Sequence, residues 1–399
     1  MKYSYYLLII IFSTLSYSSF ACYDDTVSDA VNFKFCKELA EEGDLEAQTQ
    51  IGTMYEEGKG INQNYDEAIK WYTKAADKKY SPAQYRLGVF LFYSAKTEQD
   101  KTKSLEVLKR AADQENVDAQ YLLGVLYYLG SGVQQNEATG ISWLKKAADN
   151  NFADAQAVLG EYYFKRKDRE EHIDTMLKLF NSAAKQNNAQ AQFYLGAVYI
   201  GGIGVDKNIT KAVNWFLKSA DNGFSEAQHN VGYLYSTGTG VNKDIKKAEI
   251  YFEKAAKQGY SKSQFSLGIM YSDGQDVPVD IGKAIFWLEK SAKQDFVYAQ
   301  NRLGLILLTN KSVLDYERGM MWMKMSANNK NPESMFNIGV LNAKGEIPNA
   351  DMQEAYMWLY LADKYGYPRA KQVMDQIVGQ GLISQHQINR AIKMANAKI

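Results

Sequence analysis

The stretch of sequence that decides the fold is residues 191–226, AQFYLGAVYIGGIGVDKNITKAVNWFLKSADNGFSE. Its first half places apolar residues at i, i+4 and i+8, which is the spacing of one face of an α-helix. Gly202 and Gly204 then form a Gly-x-Gly turn, and the second half carries Trp215 on another apolar stripe. The stretch therefore predicts two amphipathic helices joined by a short turn. No alternation typical of a β-strand appears anywhere in the sequence.

The same pattern recurs along the chain with a period of 36 residues. Repeats begin with Ala-Gln, or Ser-Gln in the same register, at Ala47, Ala83, Ala119, Ala155, Ala191, Ala227, Ser263 and Ala299. A ninth repeat begins at Ser334, after 35 residues, and a partial tenth begins at Ala370. All six tryptophans occupy one position of the repeat: Trp71, Trp143, Trp215, Trp287, Trp322 and Trp358. Such a period predicts an all-α solenoid of stacked helix pairs.

Glycines punctuate each repeat at fixed positions. One lies five residues into every full repeat, at Gly52, Gly88, Gly124, Gly160, Gly196, Gly232, Gly268, Gly304 and Gly339. Inside a helix it costs about 1 kcal/mol relative to alanine, and we expect it to be tolerated because it lets the partner helix approach closely. The Gly-x-Gly turn, as at Gly58 and Gly60, should end the first helix through a positive φ angle. The second, fourth and eighth repeats lack this turn, so their turns should differ in shape.

The repeat resembles the Sel-one-like repeat, a longer relative of the tetratricopeptide repeat. The resemblance covers residues 47–369 and rests on the Ala-Gln dipeptide, the Leu-Gly pair, the Gly-x-Gly-Val turn and the Trp/Ala-Ala helix. It implies a right-handed superhelix of stacked helix pairs. Members of this family usually act as adaptors for protein complexes, and many bacterial members are exported.

Four segments are predicted: a signal peptide at 1–21, a linker and capping helix at 22–46, nine repeats at 47–369 and capping helices at 370–399. Residues 28–42 fit the second helix of a half repeat, which places Cys36 toward the core. Near the other end, Ser384 should begin a polar last helix, with Gln387 completing a capping box. Polar helices of this kind are what the ends of a solenoid require.

Residues 1–21 resemble a secretory signal, with Lys2, an apolar run from Leu7 to Leu15, and Ser19-Phe20-Ala21 as a cleavage site. An uncleaved anchor is the alternative. Cys22 follows the site directly, and three interpretations stay open for it: acylation, a disulfide with Cys36, or two unmodified thiols. We expect an exported protein of the periplasm or cell envelope, or a secreted one, which contacts a membrane only through a lipid on Cys22 or an uncleaved signal.

The composition excludes several functions. Lys plus Arg and Asp plus Glu both number 46, so the formal net charge is zero, which argues against nucleic acid as the main partner. His172, His229 and His386 lie in different repeats, and with two cysteines they predict no metal site and no cofactor. Two Ser-x-x-Lys matches, at Ser142 and Ser182, are not followed by Lys-Thr-Gly. We therefore predict no enzyme. A β-lactamase-like or penicillin-binding activity, as linked to cysteine-rich relatives, is the alternative.

The candidate binding site is an aromatic groove on the first helices, which line the concave face in tetratricopeptide-like stacks. The candidates two residues into the repeat are Tyr85, Tyr121, Phe193 and Phe265, and those nine residues in are Phe92, Tyr128 and Phe164. Rigid aromatic side chains bury a large area at low entropic cost, which suits recognition of an extended or helical segment. The alternative is that these rings pack between neighbouring repeats.

The sequence thus predicts a monomeric, non-catalytic scaffold that holds a protein partner along its groove. Envelope assembly, host contact in virulence, and immunity against a type VI secretion toxin are three roles of this kind. A purely structural envelope lipoprotein is a further alternative.

Overall fold

The computed structural model describes residues 22–274 and 277–398, and within those ranges the chain is helical without a β-strand. The predicted signal peptide lies outside the described residues. Among the residues that the structure does describe, none of the helices combines the length and the apolar character needed to cross a membrane. Two compact units divide after Asp206. The all-α fold and the consecutive helix pairs predicted from the period are confirmed.

In the compact unit that ends at Asp206, a capping helix precedes four helix pairs and one further first helix. The helices are α1 (Asp29–Glu42), α2 (Leu45–Glu57), α3 (Tyr65–Asp77), α4 (Ser81–Ser94), α5 (Glu98–Asp113), α6 (Val117–Leu129), α7 (Glu137–Asp149), α8 (Ala153–Lys165), α9 (Ile173–Lys185) and α10 (Ala189–Gly201). A 3₁₀-helix, Arg169–His172, replaces the glycine turn of the fourth repeat. The turn of the second repeat ends instead in a capping box between Thr97 and Asp100.

In the compact unit that begins at Lys207, a second helix is followed by four helix pairs. These are α11 (Ile209–Asp221), α12 (Ser225–Thr237), α13 (Ile245–Lys257), α14 (Ser261–Asp273), α15 (Ile281–Ala292), α16 (Val297–Thr309), α17 (Tyr316–Asn328), α18 (Pro332–Lys344) and α19 (Met352–Lys364). Two capping helices, α20 (Ala370–Gly379) and α21 (Gln385–Asn396), follow. Ser384 caps α21 in the predicted capping box with Gln387.

The close approach predicted at the helical glycines is confirmed. A Cβ added to Gly52 would lie 2.6 Å from the ring of Tyr72, and one added to Gly160 would lie 2.5 Å from the ring of Phe180. Gly58 ends α2 at φ 73°, as predicted for the Gly-x-Gly turn.

The first helices begin two residues before the Ala-Gln dipeptide, because the residue ahead of them is an N-cap. Asn116, for example, accepts a hydrogen bond from the backbone amide of Ala119 at 2.9 Å, which satisfies one of the unpaired donors of the first turn. In other repeats the same position is aromatic and makes no side-chain cap: Tyr80, Phe152, Phe224, Tyr260 and Phe296. The residue at the N-cap position therefore either caps the helix with a hydrogen bond or supplies an aromatic ring that packs between repeats.

The glutamine of the Ala-Gln dipeptide joins each repeat to the helix before it. The Nε2 of Gln120 donates to the carbonyl of Ala112 at 3.1 Å, and the Nε2 of Gln264 donates to that of Ala256 at 3.0 Å. The same bond is made by Gln48, Gln84, Gln156, Gln192, Gln228 and Gln300. Because most buried polar groups are hydrogen-bonded, each of these amide groups ties the first helix of a repeat to the helix before it.

Candidate functional site

The seven predicted groove residues lie on five first helices, α4, α6, α8, α10 and α14. Tyr85 is buried, with 9% of its surface exposed, and the other six are half-buried. Burial raises the pKa of the hydroxyl groups of Tyr85, Tyr121 and Tyr128. Each predicted ring is therefore only partly open to solvent, and the rest of its surface packs against other residues of the solenoid.

The packing partner of these rings comes from the next repeat. The ring of Tyr121 lies 5.2 Å from that of Phe152, and the ring of Phe265 lies 5.3 Å from that of Phe296, measured between centroids. Both partners are the aromatic N-caps of the following first helix. The alternative interpretation, packing between repeats, therefore describes one side of these two residues.

The three residues nine positions into the repeat also pack toward later residues. Phe92 lies against Gly132, where an added Cβ would come 2.7 Å from Cζ of the ring. The ring of Tyr128 lies 6.0 Å from that of Tyr162. Phe164 lies 5.2 Å from the ring of Tyr194 and beneath the guanidinium of Arg169. Phe193 contacts the ring of Tyr194 at 5.3 Å.

Two aromatic residues that the sequence reasoning passed over are the most open on the first helices of the second compact unit. Tyr233 is 58% exposed and Tyr298 is 55% exposed. The ring of Tyr298 lies 5.5 Å from that of Phe296 and 6.4 Å from that of Phe265, so the three form one cluster. Tyr233 lies six residues into its repeat, about one helical turn after the groove position two residues in, so the helical period indicates that it shares the groove face.

Carboxylates on the first helices of the first compact unit are partly desolvated. Burial raises the pKa of Glu56, Asp118 and Asp154. The positive charge of Arg86 counteracts this effect at Glu56 and Asp118, and the Nδ2 of Asn188 donates to Asp154 at 2.7 Å. The aromatic residues of this compact unit therefore share the first helices with acidic groups.

A histidine and a serine, His229 and Ser263, lie side by side between two repeats of the second compact unit. The Nδ1 of His229 lies 2.9 Å from the Oγ of Ser263, and burial lowers the pKa of His229 to about 4. Ser263 has no exposed surface, so a substrate could not reach its hydroxyl. This pair contributes packing and a hydrogen bond between repeats.

Asp168, Glu171 and His172 place potential metal-ligating atoms within 4.8 Å of one another beside the 3₁₀-helix. The Nε of Arg166 donates to Asp168 at 2.6 Å, and this guanidinium holds the pKa of the carboxyl below its ordinary value. A cation would have to displace that ion pair. Ser182, from one of the Ser-x-x-Lys matches, donates to Asn151 at 3.3 Å.

Cys22 and Cys36 are joined by a disulfide that ties the start of the described chain to α1. Both residues are buried, with 3% and 0% of their surfaces exposed, and they pack with Ala40, Ala47 and Ile51. The expected orientation of Cys36 toward the core is confirmed. In this structure the Cys22 sulfur is occupied by the disulfide.

Comparison with known proteins agrees with this architecture. The family model of the Sel1 repeat matches residues 45–80, 81–116, 117–152, 189–224, 225–260, 261–296, 297–331 and 332–362. A sel1-like repeat-containing protein of Acanthamoeba polyphaga mimivirus is 40% identical over 63 residues. That match spans 16% of this chain and only 12% of the mimivirus protein.

Two solved structures extend the similarity over most of the chain. A protective antigen of uropathogenic Escherichia coli strains, which displays an SLR fold, is 26% identical with a TM-score of 0.66. The similarity covers 93% of this chain and 87% of that antigen. A Sel1 repeat protein from Oxalobacter formigenes is 24% identical with a TM-score of 0.57, covering 81% and 97% of the two chains. With its helix pairs, its paired glycines and eight matched repeats, the chain belongs to the Sel1 repeat family.

Proposed function

We propose that this protein is an exported scaffold that binds a protein partner on the face formed by its first helices. The observation that carries the proposal is the aromatic cluster of Phe265, Phe296 and Tyr298, together with Tyr233 on the preceding first helix. Tyr233 and Tyr298 expose more than half of their surfaces although their helices are otherwise well packed. Exposed, rigid aromatic residues supply most of the energy at protein interfaces, and a Sel1 solenoid is a scaffold suited to them.

The proposed partner is a protein, with no role for a cofactor or for catalysis. The chain carries no formal net charge, and the proposed surface on the first helices of the second compact unit is aromatic. Phosphate-rich nucleic acid would need a basic surface instead. Of the three roles, we favour host contact, because the E. coli relative that covers 93% of this chain is a protective antigen of uropathogenic strains.

A photo-crosslinking experiment tests where the partner binds. Benzoylphenylalanine is placed at Tyr233 or Tyr298 in producing cells, and at Lys145 on an exposed second-helix surface as the control. We expect a protein adduct from the two aromatic positions and none from Lys145. Adducts of equal yield at all three positions, or at Lys145 alone, contradict the proposed face.

A paired measurement then separates binding from packing. Tyr298→Ala should preserve the melting temperature and weaken binding of the crosslinked partner about tenfold to a thousandfold. Tyr121→Ala and Phe193→Ala, the centre of the groove predicted from sequence, should lower stability as well, because these rings are half-buried whereas Tyr298 exposes 55% of its surface. If Tyr298→Ala binds normally, the cluster is not the site.

Export is proposed from the signal-like residues 1–21 and from the disulfide, which forms in oxidising compartments. Mass spectrometry of the exported chain should give Cys22 as the first residue, because the disulfide requires it, and a start at Tyr23 would contradict the disulfide. A mass that includes Met1 supports an anchor instead, and an added diacylglycerol supports lipidation of Cys22.

A further inference from the structure

The residue before the tryptophan position of each second helix changes character along the chain. It is polar in the first five repeats, at Lys70, Glu106, Ser142, Lys178 and Asn214. It is apolar in the last four, at Ile250, Phe286, Met321 and Met357. This position is exposed in the repeats where it is polar, so no packing within the helix pair requires it to be apolar in the others.

Three of the four apolar residues are open to solvent. Ile250 exposes 52% of its surface, Phe286 51% and Met321 46%, and Met325, one turn further along α17, exposes 37%. We call these four residues the outer stripe. Each of the first three is the sixth residue of its helix, in α13, α15 and α17, so they occupy equivalent positions on consecutive second helices. An exposed apolar side chain that recurs at one position of consecutive repeats is a pattern typical of an interaction surface.

The fourth position shows what can cover such a stripe. Met357 and Leu361 on α19 correspond to Met321 and Met325 on α17, yet only 1% and 2% of their surfaces are exposed. They pack in one cluster with Ile388 and Ala391 of the amphipathic capping helix α21. The chain thus covers one copy of this position with a helix and leaves the three preceding copies uncovered.

Charge decides what kind of helix fits the outer stripe. Helices α13, α15 and α17 together carry eight Lys and Arg against four Asp and Glu, or seven when their N-caps Asp244, Asp280 and Asp315 are included. Lys254 and Lys290 lie one turn beyond Ile250 and Phe286 on the same helices. Lys290 lies 4.9 Å above the ring of Phe286. The capping helix α21 carries Arg390 and Lys393 and no acidic residue. It packs on α19, which has two acidic residues, Glu354 and Asp363, and one lysine. The same basic helix, or the equivalent face of a second copy, would meet like charge on the outer stripe.

We propose that the outer stripe binds an amphipathic helix of a partner protein whose apolar face is flanked by acidic residues. This surface is separate from the first-helix face of the proposed function, so the two can be tested independently. The apolar side chains supply the buried area, and the surrounding lysines select acidic over basic helices.

The test uses two synthetic helical peptides of 18 residues with one leucine stripe, flanked by glutamates in one and by lysines in the other. Binding of each to the mature chain is measured by fluorescence anisotropy at low and high salt. The glutamate peptide should bind, at least tenfold more tightly than the lysine peptide, and more weakly as salt rises. Phe286→Ser should weaken it at least tenfold, whereas Asn214→Ala, at the same position of a polar repeat, should change it less than twofold.

A second variant, Lys254→Glu with Lys290→Glu, leaves the apolar residues in place. It should abolish the preference for the glutamate peptide over the lysine peptide. The proposal is overturned if both peptides bind alike, if the glutamate peptide does not bind, or if Phe286→Ser binds as the wild type does. It is also overturned if vesicles containing phosphatidylglycerol, or a second copy of the chain in sedimentation, bind the wild type but not Phe286→Ser.

Discussion

The ring of Tyr72 lies directly against the α-carbon of Gly52, where a Cβ would come within 2.6 Å of ring carbons Cδ1 and Cε1. The same contact recurs between Phe252 and Gly232, at 2.7 Å. In these repeats a bulky side chain of the second helix fills the space that a side chain on the glycine of the first helix would occupy. The two helix axes approach closely for this reason.

Gly52→Ala should therefore destabilise the protein. Alanine improves helix propensity by about 1 kcal/mol, but overpacking against a buried ring costs about 1–3 kcal/mol and forces the helices apart. Gly379→Ala is the control, because nothing lies within 4 Å of the Cβ it would add. Chemical denaturation measures both, and a Gly52→Ala variant as stable as the wild type would contradict the contact.

Gln264→Leu should lower the free energy of unfolding by about 1–3 kcal/mol for each partner left unpaired. The substitution removes the donor to the carbonyl of Ala256 at 3.0 Å and the acceptor for Gln294 at 2.7 Å. Gln134→Leu, on an exposed turn, is the matched control. Hydrogen exchange should show faster opening of α14, and unchanged protection there would argue that the glutamine bonds add little.

Stability should fall in acid because of His229. Its pKa is lowered to about 4 by burial, whereas an unfolded histidine titrates near 6.5. The unfolded chain therefore binds more protons between these values, and the stability present above about pH 6.5 is lost as the pH falls toward 4. The loss should reach about 2 kcal/mol at pH 5. His229→Phe should remove this component and His386→Asn should not, and identical pH profiles for wild type and His229→Phe would refute the assignment.

Reducing the Cys22–Cys36 disulfide should loosen the amino-terminal cap. The bond closes a loop with a sequence separation of 14 residues, and a loop of this size is worth about 3 kcal/mol in chain entropy. Hydrogen exchange with and without dithiothreitol should show loss of protection in α1 and no change in α13. Cys36→Ser should reproduce the reduced state, and full protection of α1 in that variant would show that packing alone holds the cap.

The period of the sequence was enough to predict the helix pairs, the turn glycines and the cap at Ser384, since each depends on residues close in the chain. The glycine contacts were also predictable, because a glycine and a bulky apolar residue recur 20 positions apart in most repeats, as in Gly52 and Tyr72 or Gly88 and Leu108.

The surroundings of the aromatic residues were not predictable in the same way. Tyr121 meets Phe152 from the following repeat, at a position that holds a helix-capping side chain in four repeats and an aromatic one in the other five. An apolar pattern within one helix cannot show whether such a ring faces solvent or the next N-cap. The openness of Tyr298 and the coverage of Met357 likewise depend on which helix comes next.

The glutamine bonds give the array a direction. In the first eight repeats this bond runs backward, to a carbonyl eight residues earlier in the chain, as from Gln48 to Ala40 of α1. Under the proposed export, a chain that crosses the membrane amino-terminus first brings this acceptor out ahead of the glutamine, whereas the glutamine oxygen, as in Gln264, waits for a donor 30 residues later. Assembly can then proceed from the disulfide-bonded cap onward, with exposed apolar surface confined to the newest repeats.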